Sequence, residues 1–346
     1  METGKVPGSG ERAYVYAKAC GIIGGSFIGK NLPKLAGLTR LSELDRLIFA
    51  ANARDLPERE LLVDLERRII NRTAKQIVTI VNSLGRPPEL LVRLVRDFEY
   101  TDLKRAISAS AGGERNPPAH TEIGRFATID FGAYPRFDKM LKGTEFEFLL
   151  GDIRTLSADS TAPIQHKLDR QFYVGLWNSL FKLSRADRSS IERILAEEIS
   201  LRNAVWALRM RTYYGMSPEQ TREYLVFIPA PRGCFTKNLA DDALASLDLP
   251  LDNPAEWGRW RWVKFLNRRD GGESWAADPR YFQNAAAEHL YHLAHHSFSR
   301  HPFSLDTTAC FVKLKLFEED LLISVAEGLG LGMGARETLE LLGAVS

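Results

Sequence analysis

Two stretches of the chain repeat each other in register, 117 residues apart. Residues 215–225 (GMSPEQTREYL) and 332–342 (GMGARETLELL) are identical at five of eleven positions, where composition alone would give about one or fewer. The same offset carries Asn203 onto Asp320. The likeness therefore spans a whole structural unit. A chain built from copies of one helical unit presents several equivalent surfaces, which is typical of mechanical or scaffolding proteins rather than of enzymes.

A third copy lies nearer the start of the chain. Residues 98–107 resemble 199–208 and 316–325, because each has an apolar residue, then Asp or Asn four positions on, then a small residue another four positions on. Such spacing places all three on one face of a helix. The polar positions are Asp102, Asn203 and Asp320, and the small ones are Ala106, Ala207 and Ser324. The competing interpretation is that helix–glycine–helix patterns are common and that short matches carry little weight.

Turn-forming residues divide the chain between the proposed copies. The stretches 111–118 (AGGERNPP) and 229–233 (PAPRG) have linker composition. They predict three units, namely residues 1–112 with additional N-terminal helices, 113–228 and 229–346. A third turn-rich stretch, 267–273 (NRRDGGE), predicts an exposed loop inside the last unit.

Hydrophobic periodicity predicts an all-α protein. From 57 to 84 the apolar residues recur at three- and four-residue steps, and similar faces occur around 164–183, 189–213, 281–298 and 307–327. Prolines begin several periodic segments instead of interrupting them, as expected for the first turn of a helix. They are Pro57, Pro163, Pro218, Pro279 and Pro302. Strand-like content is confined to 125–131 and 223–228.

Composition excludes several classes of protein. The net charge of the 346 residues is +2, which gives no indication of a nucleic-acid partner. Cys20, Cys234 and Cys310 are far apart and odd in number, which favours thiols in a reducing compartment over a disulfide framework. The first residues lack a basic region followed by an apolar core, so we expect no secretion signal, and no uncharged apolar run reaches the ~20 residues of a membrane-spanning helix. We therefore expect a cytoplasmic protein that reaches a membrane only through another protein.

The stretch Gly24–Lys30 (GGSFIGK) resembles a phosphate-binding loop. In that loop glycine amides surround the phosphates, and the hydroxyl that follows the lysine binds magnesium. Here Asn31 replaces the hydroxyl, and no apolar strand ending in Asp offers a second metal ligand. The preferred interpretation is that the glycines let an N-terminal helix bend or pack closely on its neighbour.

The histidine cluster His289–His296 is a second candidate site. His292 and His296 are one helical turn apart and have the spacing of two zinc ligands. No nearby cysteine or carboxylate pair supplies a third and a fourth ligand at metal-binding spacing, so histidines on a helix surface are the preferred interpretation. A pH-responsive contact remains open.

Aromatic and basic residues alternate in 257–269 (WGRWRWVKFLNRR). This pattern is also found where side chains stack on single-stranded nucleic acid. At helical spacing, however, Trp262, Phe265 and Leu266 share one side, and we therefore predict a packed amphipathic helix. No GxSxG motif or similar sequence indicates a catalytic triad.

The helix patterns as a set resemble a known family. The stretches 65–68 (LERR) and 168–171 (LDRQ) each belong to a long helix, and 198–203 (EISLRN) is followed by 214–220 (YGMSPEQ). This arrangement, together with 13–18 (AYVYAK) near the start, resembles the C subunit of the archaeal and bacterial V-type (A-type) ATPase, the counterpart of the d subunit of the eukaryotic V-ATPase. The family usually has Asn where this chain has Asp320, a departure that concerns contacts with partners more than the family assignment.

This resemblance implies a non-catalytic, all-helical funnel of three similar units around a pseudo-threefold axis. Such a protein is present in one copy, holds no cofactor or metal, and accepts the lower end of the central shaft, which the D and F subunits form. It lies on the cytoplasmic face of the membrane rotor ring of a rotary motor and transmits torque for ion transport, without spanning the membrane itself.

Within this framework the candidate site residues are structural repeat positions, namely Asp102, Asn203, Asp320, Gly215 and Gly332. Two alternatives stay open. One is a helical scaffold of an unrelated complex, and the other is an enzyme that uses the Gly24–Lys30 loop or the His289–His296 cluster.

Overall fold

The protein is all-α in the computed structural model, which describes residues 7–157, 160–231, 233–234, 236–266 and 277–343. The α-helices of these residues are α1 (Ser9–Gly24), α2 (Pro33–Ala36), α3 (Leu41–Phe49), α4 (Glu58–Asn82), α5 (Glu89–Ala111), α6 (Phe137–Leu141), α7 (Leu150–Ile153), α8 (Thr161–Leu180), α9 (Arg185–Tyr214), α10 (Pro218–Glu223), α11 (Asp241–Leu247), α12 (Pro279–Arg300), α13 (Leu305–Gly330) and α14 (Ala335–Leu341). None of the described helices combines the length and apolar character that crossing a bilayer requires.

The helix starts follow from capping chemistry, as the sequence predicts. Ser217 accepts a hydrogen bond from the Gln220 amide at 3.2 Å, and Pro218 is the first residue of α10. Asp278 caps α12 in the same way, with Pro279 at the first position. The strand-like stretches 125–131 and 223–228 form no strand; among the described residues the only β-type pairing is an isolated bridge between Pro229 and Asn238.

A common order of elements recurs along the chain. The helices α8, α9 and α10 form a long, a longer and a short helix, and α12, α13 and α14 follow the same order. Between the second and third of each set lies a glycine with positive φ, Gly215 at 59° and Gly332 at 82°. The pair α4 and α5 is likewise followed by Gly113 at φ 81°. L-residues rarely adopt this conformation, which explains why glycine recurs where each second helix ends.

Six long helices pack in a closed sequence in which each contacts the next: α4, α5, α8, α9, α12, α13 and back to α4. The helices α9 and α13 begin side by side and run in the same direction. The Asp187 carboxylate near the start of α9 accepts a hydrogen bond from the Leu305 amide at the start of α13. Further along, Lys313 pairs with Glu198 at 2.7 Å. One hydrophobic core extends through these helices from Val15 of α1 to Leu339 of α14.

The tryptophan-rich stretch is not the amphipathic helix that the sequence predicts. The described part, up to residue 266, forms two short 3₁₀ turns, Pro254–Arg259 and Val263–Phe265. The indole N–H of Trp260 donates to the Asp242 carbonyl at 2.8 Å, and that of Trp262 donates to the Asp242 carboxylate at 3.1 Å. Both rings are buried, so nucleic-acid stacking is not available to them. The predicted loop 267–273 lies outside the described residues.

A buried ion pair holds the glycine-rich loop that follows α1. The side chains of Lys315 and Glu318, on α13, are fully buried and paired with each other. Lys315 donates to the Ser26 hydroxyl at 3.2 Å, while Glu318 accepts the Phe27 amide at 2.8 Å. The loop is therefore fastened to α13, which supports the structural interpretation of its glycines.

Replacing Gly215 or Gly332 with valine should destabilise the fold by about 1 kcal/mol or more, because an L-residue at positive φ is strained. The free energy of unfolding in urea measures the effect. Gly37, at φ −88° with open space around its missing Cβ, is the matched control, and Gly37→Val should cost less. Equal stability of all three variants would contradict the prediction.

Replacing Lys315 with methionine should cost about 3 kcal/mol, because the buried Glu318 carboxylate then keeps only the partly exposed Arg72, 3.6 Å away, as a cation partner. The variant Lys315→Met/Glu318→Gln should be more stable than Lys315→Met alone, since the second change removes that charge. The control is Lys167→Met, which breaks a half-exposed surface pair with Asp152 and should cost less than about 1 kcal/mol. Urea unfolding of the four proteins measures these differences, and a double variant less stable than the single one would refute the interpretation.

Candidate functional site

A cavity of about 550 Å³ opens between the six long helices, and α4, α5, α8, α9, α12 and α13 all contribute to its wall. Its lining is rich in charge, unlike the apolar core that surrounds it. The cations are Lys104, Arg105, Arg202, Arg209 and Lys313, and the acidic residues are Asp97, Asp102, Asp169, Glu198, Glu319 and Asp320. The helices therefore enclose a polar interior surface.

Five of these eleven charged residues form ion pairs across helix boundaries. Asp169 of α8 binds Lys104 of α5 at 2.7 Å and lies 3.7 Å from Arg202 of α9. Glu198 of α9 binds Lys313 of α13 at 2.7 Å. These bridges connect α5, α8, α9 and α13 and fix their positions relative to one another around the cavity.

Three carboxyl groups in the cavity wall have no such partner. Asp97 lies on α5, Glu319 and Asp320 lie on α13, and no described cation is within ion-pairing distance of any of them. One oxygen of Glu319 is buried and makes no hydrogen bond. Burial raises the pKa of Asp97 despite the opposing charge of Lys313. Asp320 is open to the cavity, where the surrounding protein atoms limit its solvation; this desolvation, and then the nearby Asp97 carboxylate, raise its pKa to about 6.

The pKa of Glu319 is raised further than that of Asp320. Burial, and then the neighbouring Asp320 carboxylate, raise its pKa to about 8. An unpaired carboxyl group in such surroundings holds a proton more strongly than one in water, because the charged form lacks solvation. The cavity thus contains an acidic cluster, Asp97, Glu319 and Asp320, that a donor or cation from outside the chain would stabilise.

The five predicted repeat positions lie in different surroundings. Asp102 is buried and accepts the Thr121 amide at 2.6 Å, while Asn203 is buried and accepts the Val226 amide at 2.8 Å. Asp102 and Asp320 both line the cavity, but only Asp320 is exposed there. Gly215 and Gly332 lie at helix ends and not at the cavity, so the structure does not bring the five predicted residues together into one site.

The glycine-rich loop and the histidine cluster, the two motifs that resemble catalytic sites, form hydrogen bonds with carboxylates of the chain itself. In the Gly24–Lys30 loop the Phe27 amide donates to the Glu318 carboxylate, and a carboxylate at this place would repel a phosphate. In the histidine cluster His289 pairs with Glu197, while His292 and His296 are exposed. Within the described ranges no three His, Cys, Asp or Glu side chains form a group able to hold a metal ion.

Sequence reasoning missed the charged residues that line the cavity. Glu198 and Arg202 are four positions apart in the middle of α9, and Glu319 and Asp320 follow Glu318 in a charged run between apolar residues of α13. Charges in the interior of long, largely buried helices are the signal that could have identified them.

The pH dependence of stability tests the acidic cluster. Because the folded pKa values of Asp320 and Glu319 lie above the ordinary values near 4, these groups stabilise the fold fully below about pH 4. That contribution is lost as the pH rises through 6 and 8. The Tm of Glu319→Gln/Asp320→Asn minus that of the wild-type chain should therefore increase between pH 5 and pH 8.5.

Calorimetry of the isolated chain measures this difference. The exposed Glu337→Gln serves as the control, and its Tm difference from wild type should not change over the same range. A Tm difference for the double variant that stays constant or falls with rising pH would disprove the account.

Comparison with known proteins places the chain in a family. The model of the ATP synthase (C/AC39) subunit family matches residues 50–341, which include all six helices that line the cavity. A protein of Treponema pallidum (strain Nichols), described as uncharacterized, is 27% identical over 333 residues, covering 95% of this chain and 96% of the relative. The chain therefore belongs to the ATP synthase (C/AC39) subunit family, which includes the C and d subunits of V-type ATPases.

Proposed function

We propose that the protein is the coupling subunit of the central stalk in a rotary V-type ATPase or ATP synthase. In this role it joins the D and F shaft to the membrane rotor ring and transmits torque for ion transport, without chemistry of its own. The observation that carries the proposal is the charged cavity enclosed by six helices. Family membership supports a place in a V-type ATPase complex.

The size of the cavity suits the end of a helical shaft. A helix with its side chains is about 10 Å wide and rises 5.4 Å per turn, so one turn occupies roughly 400 Å³. The cavity of about 550 Å³ therefore has room for about one helical turn, the dimension expected of an inserted tip. Polar walls favour an occupant that brings hydrogen bonds and charges of its own.

Torque transmission requires a shaft-binding site that does not deform. The bridges from Asp169 to Lys104 and from Glu198 to Lys313 connect neighbouring helices directly at the cavity wall. Arg202 adds contacts with the aromatic faces of Tyr173 and Trp206, each 5.2 Å from the guanidinium carbon. A shaft bound between these rigid walls would rotate together with the protein.

The three units, residues 1–112, 113–228 and 229–346, would stand around the cavity as a pseudo-threefold funnel. One copy per complex would lie on the cytoplasmic side of the ring, bound to the membrane through the ring alone. The recurring helix order and the two positive-φ glycines support this division.

Reconstitution with the D and F subunits tests the function. We expect a complex with one copy of each chain, and we expect Thr101→Trp to weaken shaft binding at least tenfold. Thr101 is exposed to the cavity on α5, so an indole there would occupy the space without disturbing the core. Val63→Trp, on the exposed outer side of α4, is the control and should leave binding unchanged.

Calorimetric titration measures the affinities, with melting curves to verify folding. No binding of D and F by the wild-type chain would favour a scaffold of a different complex. Equal affinities for Thr101→Trp and wild type would place the shaft outside the cavity.

A further inference from the structure

The start of α9 and the end of α12 form a second pocket, of about 260 Å³, whose lining differs from that of the central cavity. Its basic side chains are Arg193, Arg300, His296 and His301, and three serine hydroxyls line the same space. None of the described residues that border this pocket is acidic. The pocket therefore offers hydrogen-bond donors and positive charge to a small ligand.

An ion pair between the two helices holds one of the arginines in place. Glu197 of α9 accepts the Arg193 Nε–H at 3.2 Å and also pairs with His289 of α12. That bond uses only Nε, and among the residues that the structure describes none accepts a hydrogen bond from the terminal amino groups of Arg193. Arg300 is exposed, and no described carboxylate is within ion-pairing distance of it. Both guanidinium groups therefore have donors available for a ligand.

The contact between α5 and α8 shows how the chain neutralises cations at a similar place. There Glu89 pairs with Lys182 and with Arg93, the latter at 2.9 Å. The offset of 101 residues between the first two copies carries Glu89 onto Ser190, which lines the pocket. The contact between α9 and α12 therefore has a neutral hydroxyl where the contact between α5 and α8 has a carboxylate.

The donors and the volume together favour a phosphate group. A phosphate group presents at least three strong acceptor oxygens, and arginine binds it through two parallel N–H···O bonds, so two arginines and several hydroxyls suit it better than a single carboxylate. The pocket is smaller than the roughly 300–1,000 Å³ of sites that enclose a whole small molecule. It can hold the phosphate group of a ligand but not a nucleotide.

The surroundings of the pocket resemble a surface that meets lipid headgroups. The turn between α8 and α9 contains Phe181, which is 52% exposed, and the turn between α12 and α13 contains Phe303, which is 50% exposed. The Asp187–Leu305 hydrogen bond holds the starts of α9 and α13 together, so both turns lie at the same end of the molecule. Exposed aromatic rings beside basic side chains are typical of proteins at an anionic membrane surface.

We propose that this pocket binds a phosphate group, supplied either as free phosphate or by the headgroup of a phospholipid. Arg193 and Arg300 bind its oxygens, and the serine hydroxyls and the imidazoles of His296 and His301 donate the remaining hydrogen bonds. A headgroup would add a direct contact with the membrane to the indirect one through the ring. The inference depends on the pocket alone and not on the central-stalk role.

Titration with inorganic phosphate, followed by ³¹P NMR, tests the site in the isolated chain. The wild-type chain should bind phosphate, and Arg193→Gln and Arg300→Gln should each weaken binding at least tenfold. The control is Arg185→Gln, which removes a positive charge from an exposed residue of α9 outside the pocket and should change the affinity less than twofold. Melting curves verify that the variants fold.

Sedimentation with vesicles distinguishes the two sources of the phosphate group. One set of vesicles contains phosphatidylcholine with phosphatidic acid, and the other contains phosphatidylcholine alone. Sedimentation with the first set alone identifies a headgroup as the ligand, provided that Arg300→Gln abolishes it and Arg336→Gln, on the exposed side of α14, does not. Phosphate binding in solution without sedimentation identifies free phosphate.

Three results would overturn the proposal. The first is a wild-type chain that binds neither phosphate nor the acidic vesicles. The second is equal affinity of wild type, Arg193→Gln and Arg300→Gln, and the third is an equal loss in the control variants, which would indicate a general effect of charge. Because these measurements use the chain without D and F, a failure to bind the shaft would leave their outcome unchanged.

Discussion

The fold depends on hydrogen-bond acceptors for the backbone amides of segments that follow a helix and pack, buried, against another helix. A buried amide without an acceptor costs about 1–3 kcal/mol, so a chain segment that covers a helix needs acceptors at fixed places on that helix. Asp102 and Asn203 are those acceptors, and each receives an amide from the segment that follows its own helix pair. The same sequence position therefore fastens two different segments, and the third copy, Asp320, has no described segment to receive.

The central cavity differs from the apolar core, because its wall contains charged side chains and not all of them have a partner. Asp169 and Glu198 have cation partners, whereas Asp97, Glu319 and Asp320 have none in the described chain. A folded protein bears the cost of carboxyl groups that lack both a cation partner and full solvation by keeping them protonated or by pairing them with a second molecule. A protein that receives a partner in its interior has a use for such groups, since binding recovers what folding left unsatisfied.

Much of the architecture could be predicted from the sequence because it is encoded locally. Capping residues and prolines determined where α10 and α12 begin, and periodic apolar residues predicted α4 close to its observed bounds. The tryptophan-rich stretch was misread for a physical reason. Its apolar spacing fits a helix, but two indole N–H groups find their acceptors on Asp242 of α11, and the chain forms 3₁₀ turns that bring them there. Long-range acceptors of this kind leave no trace in a local pattern.

By itself the sequence determined the helical class, the recurrence of one sequence pattern and the likeness to a V-type ATPase subunit, because periodicity, capping and repeats act between residues close together in the chain. Only the tertiary structure decided that Glu198, Lys313 and Asp97 face one cavity, that the glycine-rich loop is fastened to Glu318, and that Asp320 differs from Asp102 and Asn203. These outcomes depend on which helix faces meet across more than a hundred residues of chain. That choice is made by packing the whole set of apolar surfaces at once, so the residues of any single helix do not reveal it.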